Sequence, residues 1–302
     1  MVAFENDIRD NILRFLPHDA DDRVELEAAD TSALLVVWFN WTSRLVTQRP
    51  RRVHWSHELE QHASPHFASP HVGDGVAHVA AHIEAGDDLS PHLSKAALQY
   101  GYQGGAVRRR QDLDLMINDW RIHHLHLGIG LDAGGYFAAR TDELLFAHFR
   151  HNDAFLIDVG THGDWAARRL LEVVVHNWPD VGLVQPMAEG LSLVHEPTDE
   201  EYLRLRRAGV AVVGLTIDGR VWSPTGFMST ARTSLRAVDY AYATLRVAQQ
   251  LEEKVRRSDA GFLEGWPEGI SIPDTRDWHF DYSVNGYWLL HERNSNVGVP
   301  FD

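Results

Sequence analysis

Asp119-Trp120-Arg121-Ile122-His123-His124-Leu125-His126-Leu127 is the passage on which the reading of this chain turns. Read as a strand from Trp120 to Leu127, its alternation places His124 and His126 on one face and Arg121 and His123 on the other. Burying three imidazoles and a guanidinium costs roughly 1–3 kcal/mol for each polar group left unsatisfied. Solvent in a cleft, a hydrogen-bond network, a metal or a substrate must therefore compensate them. A buried network beside the core accounts for the cluster as well as a functional site does.

Two more strand-like runs follow, Glu143 to Phe149 and Ala154 to Val159, after Gly128 to Gly135 and after His151-Asn152-Asp153. Three short runs with short connections predict an antiparallel meander. The second run offers His148 and Arg150 on one face, with Arg140 just before it. The third offers Asp158 and then His162 and Trp165. Strands about 4.8 Å apart would bring these groups within reach of one another. His148 and His151 also read simply as strand-end and turn residues, and Trp120, Trp165 and Trp178 as core.

The first hundred residues read as mainly helical. Phe4, Ile8, Ile12, Phe15 and Leu16 fall at helical spacing before Pro17, and Leu34, Leu35, Trp38, Trp41 and Leu45 mark a second helix from Thr31 to Val46. Arg49 to His54 is basic and broken by Pro50. A helix from about Asp74 to Glu84 ends at Gly86, with His78 and His82 one turn apart as zinc ligands can be; Ala and Val around them make a plain helix face the simpler reading. Arg108-Arg109-Arg110 leads an amphipathic stretch through Leu113 and Met116.

Beyond the meander, Asp164 to Trp178 predicts a helix with Asp164 as cap and Pro179 as stop. A capping box of Thr198 and Glu201 starts another helix to Ala208. Val210 to Ile217, Asp218-Gly219 and Arg220 to Trp222 predict a hairpin, Arg232 to Arg256 a long helix, and Trp278 to Val284, Asn285-Gly286 and Tyr287 to Glu292 a closing hairpin. The expected class is α+β, a central antiparallel sheet near 120–160 flanked by helices. Its divisions are a helical region 1–105, a core 106–180 and a C-terminal region 181–302, or one domain throughout.

Composition narrows the function classes. The 302 residues contain no cysteine, so disulfides, thiolate zinc sites and cysteine nucleophiles are excluded together, and any metal needs His, Asp or Glu. With 28 basic and 43 acidic residues the net charge is -15, which disfavours a broad nucleic-acid footprint while leaving room for a local basic cleft. Lysine occurs only at Lys95 and Lys254, so positive charge is almost all arginine, suited to carboxylate or phosphate. No apolar run nears the ~20 residues of a membrane span and no secretory leader is evident; a cytoplasmic location without membrane association is expected.

Two chemistries suit the collection of His, Arg and Asp. Histidines can act as general acid and base while arginines stabilise a pentavalent phosphate, the metal-free route to cleaving RNA through its 2'-hydroxyl. Alternatively His124, His126 and Asp158, or His162 in place of Asp158, hold a divalent metal such as zinc that activates water. The succession of a polar-aromatic strand (Trp120 to Leu127), an apolar strand after an arginine (Arg140 to Phe149), and a strand followed by glycine, histidine and an aromatic residue (Phe155 to Trp165) resembles the sheet of RelE-like toxins, small ribonucleases of toxin–antitoxin systems. The likeness covers about 45 residues (119 to 165) and implies phosphate-binding, acid-base and base-stacking roles for Arg121, Arg140, His162 and Trp165.

The expectation is therefore an intracellular endoribonuclease of toxin or phage-defence type, working without a cofactor. In it His124 and His162 are acid and base, Arg121 and Arg140 hold phosphate, and His123, His126, His148 and Trp165 contact substrate. RNA is its expected partner, with an antitoxin or a second copy of the chain. A metal-dependent hydrolase and a non-catalytic binding or regulatory protein are the alternatives.

Overall fold

A computed structural model describes residues 3–105, 110–264, 266–283 and 286–299. Arg108, Arg109 and the Asn285 turn position lie outside the described residues. The chain divides into two compact units: 1–39 with 101–107 and 237–302, and 40–100 with 108–236.

The second unit carries the central sheet. Its strands are β1 (Arg52–Trp55), β2 (His123–His126), β3 (Glu143–Phe149) and β4 (Asp153–Thr161), in the order β1-β4-β3-β2. The meander β2-β3-β4 is antiparallel, with His124 opposite Phe146 and Leu144 opposite Gly160. β1 adds to its far edge in parallel, Val53 beside Ala154. That strand comes from the basic segment after Pro50, which reads as a helix break in sequence; the preceding helix has already ended at Thr42, and Arg52–Trp55 pairs with a strand a hundred positions away.

Alternation along these strands builds two cores. Leu125, Leu127, Leu145, Ala147 and Leu156 pack with Val72, Val76, Val79 and Ile83 of the helix Pro70–Ala85. Phe146, Phe155 and Ile157 pack with Leu170, Leu171 and Val174 of the helix Arg169–Asn177, and with Trp120, Tyr202 and Trp222. Gly75 is required where the first helix meets β2, because a Cβ there would stand 2.4 Å from the Leu127 carbonyl oxygen.

The strand expected from Trp120 begins later than the sequence suggests. Leu115–Trp120 is a short helix, capped by Asp114 Oδ1, which accepts hydrogen bonds from the Met116 and Ile117 amides at 3.0 Å each. Arg121 ends it with φ of 59°, a left-handed conformation that costs a non-glycine residue roughly 1–2 kcal/mol. Its surroundings impose that corner: the guanidinium donates to the Gly182 carbonyl and to Thr225 Oγ1, and its own carbonyl accepts from His148 Nδ1 at 3.0 Å.

A small sheet of β5 (Val184–Pro186), β6 (Leu215–Ile217) and β7 (Arg220–Pro224) completes the unit in the order β5-β7-β6. The Asp218-Gly219 hairpin forms, with its first strand confined to Leu215–Ile217. The Thr198–Glu201 capping box is present. Asp164 caps a turn instead of a helix, accepting from the Thr161 amide and hydroxyl, so the following helix starts at Arg169.

In the first unit, β8 (Trp278–Tyr282), β9 (Trp288–Glu292) and β10 (Val297–Val299) form a meander. Phe4, Ile8 and Ile12 of the helix Phe4–Phe15 are its buried face, and Phe4 stacks on Phe280 at 6.0 Å. Trp38 meets Tyr282 edge-on at 4.8 Å. No helix among the described residues is long and apolar enough to cross a membrane.

Candidate functional site

The sheet delivers His124 and His126 to one face, as alternation requires, with Leu125 turned into the opposite core. His126 meets His162, their ring centroids 5.7 Å apart. His162 reaches that position from the Thr161–Asp164 turn, whose Asp164 side chain holds the Thr161 amide at 2.6 Å. Arg140 lines the same cleft as these two imidazoles. Next to it, Thr141 Oγ1 accepts from the Leu127 amide at 3.1 Å and donates to the Glu143 carbonyl at 2.6 Å, tying the loop to β2 and β3. The Arg140 guanidinium donates to the Leu93 carbonyl and lies over the Phe137 ring.

These residues line a cleft of about 370 Å³ together with Ser94, Lys95, Thr141 and Asp142. Lys95, which no local pattern connects to the segment, comes from a helix start thirty positions upstream and bonds Asp132 at 2.6 Å. Burial lowers His126 to about 3, with the nearby Arg140 charge adding to the effect. Its Nδ1 is buried and lacks a hydrogen-bond partner among the described residues.

His124 opens onto an adjacent cleft of about 380 Å³ that shares Ser94 with the first. There its ring meets Trp165 edge-on at 4.5 Å, and Nδ1 lies 3.6 Å from Asp114 Oδ2. Burial lowers the His124 pKa against the pull of Asp114. Arg44, Arg110, Arg206 and Arg207 also line this space. Arg206 is bound to Asp119 at 2.8 Å, donates to the Trp165 carbonyl and sits 4.1 Å over the Trp120 ring. A chain of net charge -15 thus concentrates cationic side chains along two neighbouring clefts.

Several expected site residues lie elsewhere. Arg121 is the corner piece described above and lines neither cleft. His123 faces the opposite side of β2, against Phe149 at 5.3 Å, with Nε2 donating to the Ser43 carbonyl at 3.1 Å. His148 stacks on Phe155 at 6.2 Å and bonds the Arg121 backbone. Asp158 is fully buried, and its carboxylate pairs with Arg169. It does not join His124 and His126 as a metal-binding set. Among the described residues, the group whose ligand atoms all approach within 4.8 Å is His78, His82 and His92.

No family model matches the chain, and no curated protein or solved structure shows a significant match to it.

Proposed function

We propose that the chain binds a phosphodiester in the His126–His162 cleft and cleaves RNA by metal-independent acid-base catalysis. One observation carries this reading: two imidazoles with ring centroids 5.7 Å apart line a single cleft with Arg140 and Lys95. A volume of about 370 Å³ lies in the range of ligand pockets, roughly 300–1,000 Å³. The guanidinium and ammonium groups neutralise the phosphate and the further charge of its pentavalent transition state. His126 takes the 2'-hydroxyl proton, O2' attacks phosphorus, and the 5'-oxygen leaves with a proton from solvent-exposed His162. The products are a 2',3'-cyclic phosphate and a 5'-hydroxyl. In the adjacent cleft, half-buried Trp165 offers a flat surface for the neighbouring base.

The reading moves the acid-base pair from His124 and His162 to His126 and His162, and it leaves Arg140 with Lys95 as phosphate ligands in place of Arg121. The RelE-like resemblance supports the same reaction through Arg140, His162 and Trp165, and adds the expectation of a toxin or defence role. Tag-free protein incubated with an RNA oligonucleotide in excess chelator is expected to yield cyclic-phosphate ends, and an all-deoxy oligonucleotide to remain intact. H162Q should slow cleavage roughly 10²–10⁴-fold. RNA left intact by the wild-type chain, or H162Q at full rate, overturns the proposal.

A further inference from the structure

A second group of three histidines gathers behind β2, beside the backbone of His126. His78 and His82 stand one turn apart on the helix Pro70–Ala85, and His92 closes the short 3₁₀ turn Ser90–His92. Their ring centroids are 4.4, 5.7 and 6.0 Å apart, and one ligand nitrogen from each ring lies within 4.8 Å of the other two. The Nε2 atoms of His78 and His82 are separated by 3.2 Å. Two imidazoles bound tetrahedrally to zinc at about 2.05 Å have nitrogens ~3.3 Å apart.

The outer nitrogens are occupied in the way metal ligands require. His82 Nδ1–H donates to Asp87 Oδ2 at 2.7 Å, and His92 Nδ1–H donates to the His126 carbonyl at 2.8 Å. Each bond holds the proton on Nδ1, fixes the ring's orientation and leaves the Nε2 lone pair for a ligand. A hydrogen bond between His78 and His82 would account for their short separation by itself. It does not account for the third ring, which is buried and aimed at the pair by a backbone carbonyl.

We propose that His78, His82 and His92 bind one divalent transition-metal ion of the zinc type through their Nε2 atoms, with water in the fourth position. Partial exposure of His78 and His82 leaves room for that water. A donor set of three imidazoles selects zinc, copper, nickel or cobalt over magnesium and calcium, which prefer oxygen. Asp87 is a positioning residue, holding the His82 ring without touching the ion. The site is independent of the ribonuclease reading, because its test reads metal and not cleavage.

The full chain, without a histidine tag, is stripped with chelator and dialysed against zinc, and the bound metal is counted. The expected result is one zinc per chain, no retained magnesium, and the visible absorption of tetrahedral cobalt when cobalt(II) is substituted. H78Q, H82Q and H92Q should each lose the stoichiometric site, whereas H57Q, at an exposed histidine, should keep it. Asp87→Asn should weaken zinc binding roughly 10- to 100-fold with far-ultraviolet dichroism unchanged. His78 and Asp87 are not buried, so their variants carry the test should H92Q fail to fold. Absence of stoichiometric zinc in the wild type, or zinc retained equally by the histidine variants, overturns the proposal.

Discussion

Acidification from pH 7 to 4.5 is expected to weaken the fold through two histidines that no proposed chemistry uses. His148 and His123 are only 5% and 8% exposed. Burial lowers His148 to about 3, with the Arg121 charge reinforcing it, and lowers His123 to about 4 despite Asp114. Both imidazoles therefore stay neutral in the folded chain, while in the unfolded chain they take up protons below pH ~6.5. The unfolded state then binds more protons, so stability falls as pH falls below ~6.5 and the loss ends near the folded values.

Each such group contributes about 1.4 kcal/mol per pH unit, and the pair about 2.7 kcal/mol per unit; integrated from pH 7 to 4.5 the loss is about 5 kcal/mol. That equals the whole stability of a marginal domain, roughly 5–15 kcal/mol. Asp158 acts oppositely: burial pushes its carboxyl up to about 6, so the folded chain keeps a proton that the unfolded chain has released. The decisive measurement is therefore a difference between chains. Urea unfolding of the wild type and of H123Q/H148N, followed by tryptophan fluorescence from pH 7 to 4.5, isolates the two imidazoles. Gln places its amide near Nε2, which serves Ser43, and Asn places its amide near Nδ1, which serves the Arg121 carbonyl. Between pH 7 and 4.5 the double variant should lose about 5 kcal/mol less stability than the wild type. Parallel profiles for the two chains would refute the reasoning.

Two further outcomes test the frame around the clefts. Arg206→Ala leaves the Asp119 carboxylate buried and unpaired, and should cost about 3–5 kcal/mol in urea unfolding, whereas the R206M/D119L double variant should recover most of it. Two glycines on the helix Pro70–Ala85 should respond with opposite signs in thermal melts: an alanine Cβ at Gly73 meets nothing within 4 Å and should stabilise by about 0.5–1 kcal/mol, and one at Gly75 collides with Leu127 and should destabilise by about 1–3 kcal/mol.

Elements defined by their own residues were legible from the sequence. The apolar spacing of Phe4, Ile8 and Ile12, the Thr198–Glu201 box and the Asp218-Gly219 turn each act within a few positions, and each is realised. What depends on distant partners was not legible. Arg52–Trp55 alternates polar and apolar over only four residues, too short a run to be read as a strand, and becomes β1 because β4 offers it an edge. Trp120 sits between Asp119 and Arg121 in a mixed segment that suits either strand or helix. Asp114 decides for helix by capping Met116 and Ile117, and only the surroundings of Arg121 enforce the turn into β2.

The clefts show the same division. Strand period alone places His124 and His126 on one face, and that much could be read from nine residues. Arg140 and His162 are legible as their companions in the neighbouring runs, whereas Ser94 and Lys95 are not, because they come from Ser90 to Lys95, a stretch with no periodicity and one lysine. There the His92 ring holds the His126 carbonyl, the Leu93 carbonyl accepts from Arg140, and Ser94 and Lys95 line the His126–His162 cleft. So short a stretch can do this because its groups make separate long-range contacts, none of which depends on a repeating pattern. Those contacts hold the segment between its 3₁₀ turn and the start of the helix Lys95–Gln99, and Leu89 and Leu93 are buried in the core beneath the helix Pro70–Ala85.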